Sequence, residues 1–160
     1  NLHEGIDTTL MILSHRLKSN CERPAIEIVK KYGNLPLVKC YYGQINQVFM
    51  NLISNAIDAL EESNQSKSYE EIEKNPNIIT ITTYSDDNWA TIIIEDNGTG
   101  IPIQVIPKLF NAFFTTKVEG KGTGLGLSIS HQIITEKHGG TLECISSPGN
   151  GAKFVIRIPV

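Results

Sequence analysis

Gln44-Ile45-Asn46-Gln47-Val48-Phe49-Met50-Asn51-Leu52-Ile53-Ser54-Asn55-Ala56-Ile57-Asp58-Ala59-Leu60 is the most strongly patterned stretch of the chain. Ile45, Val48, Phe49, Leu52, Ile53, Ala56 and Leu60 recur with the 3.6-residue period of an α-helix and give it one apolar face. Gln47, Asn51, Asn55 and Asp58 fall at steps of four, four and three, so they share a second face. Asparagines inside a helix cost propensity, and where they are buried their amides must be satisfied. The spacing leaves two readings open. One is a solvated polar face; the other is a ligand that consumes the amides, such as a phosphate-bound cation, for which amide oxygens are hard ligands.

Upstream, Ile6, Leu10, Leu13 and Leu17 form one stripe of an amphipathic helix. It has no convincing start signal, so residues 1–18 read as a helix leading in from a longer helical connection, and 19–160 as the domain proper. Pro24 to Lys31 alternates as a strand, Gly33 to Pro36 is turn chemistry, and Leu37 to Tyr42 reads as a second strand. Downstream, Glu61 to Pro76 is polar and is expected as a solvated loop with one helical turn near Tyr69 to Glu73.

Ile78 to Tyr84 and Ala90 to Glu95 are β-branched runs separated by Asp86, Asp87 and Asn88, the pattern of an antiparallel hairpin. A short helix is expected within Val105 to Phe114, then a loop over Thr115 to Gly126. A further helix runs from Leu127 to His138 and is stopped by Gly139 and Gly140. Thr141 to Ser146 and Lys153 to Ile158 then pair across a turn. This order predicts an α+β fold, a two-layer α/β sandwich. Its mixed, mostly antiparallel sheet has about five or more strands and is covered on one face by about three helices.

The 160 residues suffice for one domain with its own core. A net charge of −3 argues against a general nucleic-acid or anionic-membrane binder. No apolar run approaches the ~18 residues of a membrane span, and no signal peptide opens the chain. Cys21, Cys40 and Cys144 are scattered, with no CxxC pair, which fits small buried hydrophobes in a reducing, cytoplasmic compartment. His3, His15, His131 and His138 lack the spacing of a metal site.

Two further clusters carry chemistry. Asp96-Asn97-Gly98-Thr99-Gly100-Ile101-Pro102 follows an apolar strand. On its own it reads as a turn; a carboxylate at a strand end beside glycines can also accept a hydrogen bond from an exocyclic amine. Gly120-Lys121-Gly122-Thr123-Gly124-Leu125-Gly126 has glycines at alternate positions leading into a helix. Successive backbone N–H groups and a helix start suit an anion. The offsets match neither the Rossmann fingerprint nor a Walker A loop. Phosphate contact is favoured over a flexible linker, because a linker rarely runs straight into an apolar helix; Lys117 and Lys121 add point charges.

Taken together, the clusters resemble the catalytic and ATP-binding domain of sensor histidine kinases, in the superfamily (the Bergerat ATP-binding fold) shared with gyrase, mismatch-repair and chaperone ATPases. The N box looks like Asn51 to Ala59, the first glycine box like Asp96 to Ile101, the F box like Leu109 to Phe114, and the second glycine box like Gly122 to Leu127. A weaker terminal match runs from Gly149 through Gly151 to Phe154. The resemblance implies Mg-ATP as ligand, with Asn55 holding Mg²⁺ and Asn51 contacting the phosphates, Asp58 on the same helix face. Asp96 would accept the adenine amino group, Gly98 and Gly100 would allow close approach, and Ile101 and Leu125 would contact the base. Residues of about 107–124 would form an ATP lid. Within it Thr115, Thr116, Lys117 and Lys121, with the amides of Gly122, Thr123, Gly124 and Gly126, would face the phosphates. Asn51, Asn55 and Lys117 are the candidate catalytic residues.

The family transfers the γ-phosphoryl group to a histidine. None of the four histidines here sits in the family's acceptor motif, so the acceptor is expected on dimerisation and phosphotransfer helices outside this chain, with a response regulator as indirect partner. Ala112 stands where the F box usually has proline, Ala152 where the last box often has threonine, and Asp58 where many relatives carry a basic residue. Three other readings share the nucleotide boxes: a gyrase- or chaperone-type ATPase, a serine kinase of the anti-sigma type, and a nucleotide-sensing interaction module. The ATPases place a glutamate where this chain has Asn51, and an amide is no general base at neutral pH.

Overall fold

The computed structural model describes residues 1–112, 126–146 and 149–160. Within them five strands form one sheet: Glu27–Tyr32 (β1), Ile78–Ser85 (β2), Trp89–Asp96 (β3), Thr141–Ser146 (β4) and Ala152–Pro159 (β5). Their spatial order is β1-β2-β3-β5-β4, with β1 parallel to β2 and every other neighbouring pair antiparallel. The helices are Leu2–Ile12 (α1), Ser14–Leu17 (α2), Tyr42–Asn64 (α3), Tyr69–Lys74 (α4) and Gly126–Gln132 (α5). This is the two-layer α/β sandwich that the sequence pattern predicts. No described helix is long and apolar enough to cross a membrane.

Parallel strands cannot be joined by a tight turn, and α3 with α4 supplies the crossover from β1 to β2. The expected β2–β3 hairpin forms, its turn held by Asp86, whose Oδ1 accepts from the Asn88 and Trp89 amides at 2.9 and 2.8 Å. Ile79, Ile81, Ile92, Ile94, Phe154 and Ile156 alternate toward the helical layer and are buried. From above, α3 meets them with Ile45, Val48, Phe49, Leu52, Ile53, Ile57 and Leu60. The sheet's period of two and the helix's period of 3.6 thus close on one core.

The opening helix is packed onto the domain. Leu2, Ile6, Leu10 and Leu13 are buried in that same core, where α1 packs along α3. Asn1 caps it, its side chain accepting from the His3 and Glu4 amides. At the far end Arg16 Nη2 reaches Asp58 Oδ1 at 2.7 Å and Glu61 Oε1 at 2.8 Å on α3.

Leu37–Tyr42 is not a strand. The chain from Gly33 to Tyr41 is irregular and α3 already begins at Tyr42. Val38 and Cys40 pack against the core while Leu37 is exposed. The alternation therefore reflects one-sided packing with no neighbouring strand to supply hydrogen bonds. The polar segment 61–76 is also more ordered than a solvated loop. Its first residues are the last turn of α3, and α4 opens on a capping box between Ser68 and Glu71 that anchors buried Ile72.

Between Val105 and Ala112 only Ile106–Lys108 is helical, as a 3-10 turn. The helix after Gly126 is α-helical to Gln132 and then widens into a π-helical turn over Ile133–Lys137. There Thr135 Oγ1 donates back to the His131 carbonyl at 2.7 Å. Gly140 follows because a Cβ at that position would overlap the Arg157 carbonyl oxygen of β5.

Candidate functional site

The polar face of α3 is where the separate motifs meet. Asn51 is half-buried, and its Nδ2 donates to the Gly126 carbonyl and to Ser130 Oγ, each at 3.1 Å. Gly126 and Ser130 stand one turn apart on α5, so the two amide protons have one acceptor each. This turns the nitrogen of Asn51 toward α5. Reversing the amide would set its oxygen against the Gly126 carbonyl, so the oxygen is the end left to meet a ligand.

Eight residues further along, the Ala59 carbonyl oxygen lies 3.4 Å from where a Cβ on Gly98 would stand. Asn51, Asn55 and Ala59 occupy one stripe of the helix. Half-buried Asn55 thus lies between a contact to α5 and a contact to the turn after β3, along about 12 Å of helix. Asn55 and Asp96 are therefore on the same side of the molecule, with the first glycine box at one end of the stripe and Gly126 at the other.

Asp96 ends β3 with only 6% of its surface exposed. Its Oδ1 accepts from the Gly98 amide at 2.9 Å. Burial pushes its carboxyl above the usual aspartate range, against the opposing pull of hydrogen bonds from the Gly98 and Ala152 amides. A desolvated carboxylate held by backbone donors is a strong and directional acceptor for one more N–H. Asn97 latches the same turn to the start of β2. It accepts from the Ile78 amide and donates to the Pro76 carbonyl, both at 2.9 Å.

The terminal glycine segment closes over this turn from the other side. Gly149 N donates to the Thr99 carbonyl at 2.6 Å. Gly151 lies so close to Asp96 that a Cβ there would overlap the Asp96 carbonyl oxygen. Gly100 takes the left-handed conformation, φ 81°, that its place in the turn requires. Next to it, the Ile101 amide donates to Ser146 Oγ at 2.6 Å. Cys144 sits near enough to Asp96 that burial and this charge together push its thiol up to about 11, which leaves it unreactive at neutral pH.

Asp58, on the same helix face, pairs with Arg16, which joins α2 to α3. Phe110 of the F box stacks on His131 of α5 with ring centroids 4.9 Å apart, and Leu109 is buried. The lid residues Thr115, Thr116, Lys117, Lys121, Gly122, Thr123, Gly124 and Leu125 lie outside the described residues. Ser130 and Ser146 carry no motif signal in the sequence. Each is a small hydroxyl whose role appears only once a group distant in sequence is folded against it, the Asn51 amide for Ser130 and the Ile101 backbone for Ser146.

Residues 42–160 match the family model described as "Histidine kinase-, DNA gyrase B-, and HSP90-like ATPase". The two-component sensor PprA of Pseudomonas aeruginosa is 34% identical over 146 residues, which cover 91% of this chain and 14% of PprA. The sensor kinase CckA of Brucella abortus is 40% identical over 137 residues, covering 76% of this chain and 13% of CckA. The chain therefore spans a small part of the length of these relatives.

Among solved structures, the catalytic domain of histidine kinase ThkA superposes with a TM-score of 0.77 at 29% identity, covering 99% of this chain and 94% of that one. ThkA in complex with the response regulator protein TrrA matches at 0.73 and 27%, covering 99% of this chain and 40% of that one. The motifs in their order, the sandwich that gathers them and these matches agree: the chain belongs to the histidine kinase-, DNA gyrase B- and HSP90-like ATPase family.

Proposed function

We propose that this chain is the ATP-binding catalytic domain of a two-component sensor histidine kinase. It would bind Mg-ATP and pass the γ-phosphoryl group to a histidine on the parent's dimerisation and phosphotransfer helices. The carrying observation is the α3 stripe, in which Asn51 and Asn55 stand between the Asp96 turn at one end and Gly126 at the other. Asp96 would take the adenine amino group, beside Gly98, Gly100 and Ile101. Asn51 and Asn55 would face the phosphates, with Lys117, Lys121 and the second glycine box closing over them.

Asn55 would hold magnesium, an amide oxygen being a hard ligand, and Asn51, whose amide protons go to α5, would present its own oxygen on the same face. Bound there beside Asn55, the ion would neutralise charge on the β- and γ-phosphate oxygens. The protein's own part is to hold the purine, to fix the triphosphate along α3 and to exclude water. The acceptor nitrogen then attacks γ-phosphorus in line, the bond from phosphorus to the β–γ bridging oxygen breaks, and ADP leaves with that oxygen.

Local partners engage all four histidines of the chain. His3 is stacked on Tyr32 and bonded to Thr83, His15 meets the Ile12 carbonyl, His131 stacks on Phe110, and His138 bridges Ile133 and Tyr41. This supports an acceptor in another part of the parent protein. A response regulator would receive the phosphoryl group afterwards; the kinase ThkA is solved in complex with one, TrrA. A cytoplasmic setting suits the ATP supply and the unpaired thiols.

Calorimetric melting tests the nucleotide reading. ADP with magnesium at 100 times its dissociation constant should stabilise the chain by about 2.7 kcal/mol. The nucleotide reading fails if saturating ATP and ADP leave the melting temperature unchanged.

A further inference from the structure

The terminal glycine segment carries none of the ligand roles assigned to the other boxes, yet it packs on the purine end of the site. Ser146, the last residue of β4, is its pivot. The Ser146 hydroxyl accepts from the Ile101 amide at 2.6 Å and donates to the Gly151 carbonyl at 3.1 Å. A hydroxyl has one proton to give, so this pair of bonds sets it as a bridge between two backbones. On one side is the residue that follows Gly100. On the other is the residue that presses on the Asp96 backbone, and its neighbour Ala152 bonds the Asp96 carboxylate.

The span Asp96–Ile101 is thereby held at both ends. β3 pairing, Gly98 and Ala152 fix the Asp96 end, Gly149 ties down Thr99, and Ser146 alone of these uses a side chain to hold Ile101. We infer that Ser146 is a positioning residue for the purine. It acts through Ile101 and Gly151 and keeps Ile101 and the Asp96 carboxylate in the relative placement that accepts an adenine ring. The inference rests on the nucleotide reading above. Alanine at 146 leaves a half-buried N–H without its acceptor and a carbonyl without its donor, whereas threonine retains both bonds.

The test is titration of the intact 160-residue chain with ADP and GDP, each with magnesium and with EDTA, for wild type, Ser146→Ala and Ser146→Thr. Ser146→Ala should bind ADP about tenfold more weakly, the scale of one lost hydrogen bond. The loss should be equal with and without magnesium, and the preference for ADP over GDP should narrow. Ser146→Thr should restore both affinity and preference. In the wild type, hydrogen exchange should show the Ile101 amide strongly protected, a readout that survives even if Ser146→Ala fails to fold.

Wild-type affinity in Ser146→Ala would overturn the inference. So would a threonine variant as weak as the alanine one, a loss seen only with magnesium, or a freely exchanging Ile101 amide. Failure of the wild type to bind ADP would instead overturn the nucleotide reading, and this inference with it.

Discussion

Asp96 shows at the scale of one residue what a buried carboxyl costs in stability. Its carboxyl is buried and pushed above the usual aspartate value of 3.8, chiefly by desolvation. In the folded, nucleotide-free chain it therefore holds a proton more tightly than in the unfolded chain. The stability it contributes is fullest below the unfolded value and is lost as pH rises through the folded one. At neutral pH the ionised group is a liability that an adenine amino group would relieve. Asp96→Asn should accordingly melt at or above the wild type without nucleotide, yet bind ADP at least about tenfold more weakly, because a hydrogen bond to a charged acceptor is lost. Melting curves at neutral pH with and without ADP check both signs. Wild-type ADP affinity should also fall on acidification at a pH above that of an ordinary aspartate, while the variant's weaker affinity stays flat across that range.

At the scale of elements, what the sequence discloses depends on whether a signal is local. α3 was legible because seven apolar positions with one period leave no second solution, and the β2–β3 hairpin because β-branched runs flank an Asx turn. Leu37–Tyr42 misled because alternation reports which side is buried without reporting a pairing partner. The π-helical turn at Ile133–Lys137 has no local signature; it lies where the chain packs against α3, β4 and β5. The site divides the same way. Asn51, Asn55 and Asp96 lie in patterned motifs, whereas Ser130 and Ser146 bond groups that are far away in sequence. Gly140 lies between these cases, readable as a helix stop but needed for its approach to β5. Gly140→Ala would drive a methyl into the Arg157 carbonyl and should cost at least about 2 kcal/mol, with the loss seen in denaturant unfolding. A Gly140→Ala chain as stable as the wild type would mean that β5 gives way more easily than its position inside the sheet implies.

At the scale of the whole molecule, binding a nucleotide and turning it over make separate demands. The first glycine box and Gly126 sit at opposite ends of one helical stripe, so a nucleotide laid along α3 would have its base at one end and its phosphates toward the other. Hydrolysis needs in addition a base beside the γ-phosphate to activate water. The position a turn before Asn55 is Asn51, an amide whose protons are already committed to Gly126 and Ser130. An amide is not basic enough at neutral pH to take a proton from water, whichever way its oxygen faces. The isolated chain should therefore bind nucleotide while turning ATP over slowly, and with γ-labelled ATP it should label itself little. Adding the phosphotransfer helices of the parent protein should move label onto their histidine without raising phosphate release in proportion. Fast multiple-turnover hydrolysis by the chain alone would place it with the gyrase-like ATPases, and would require a base other than Asn51 to reach the γ-phosphate.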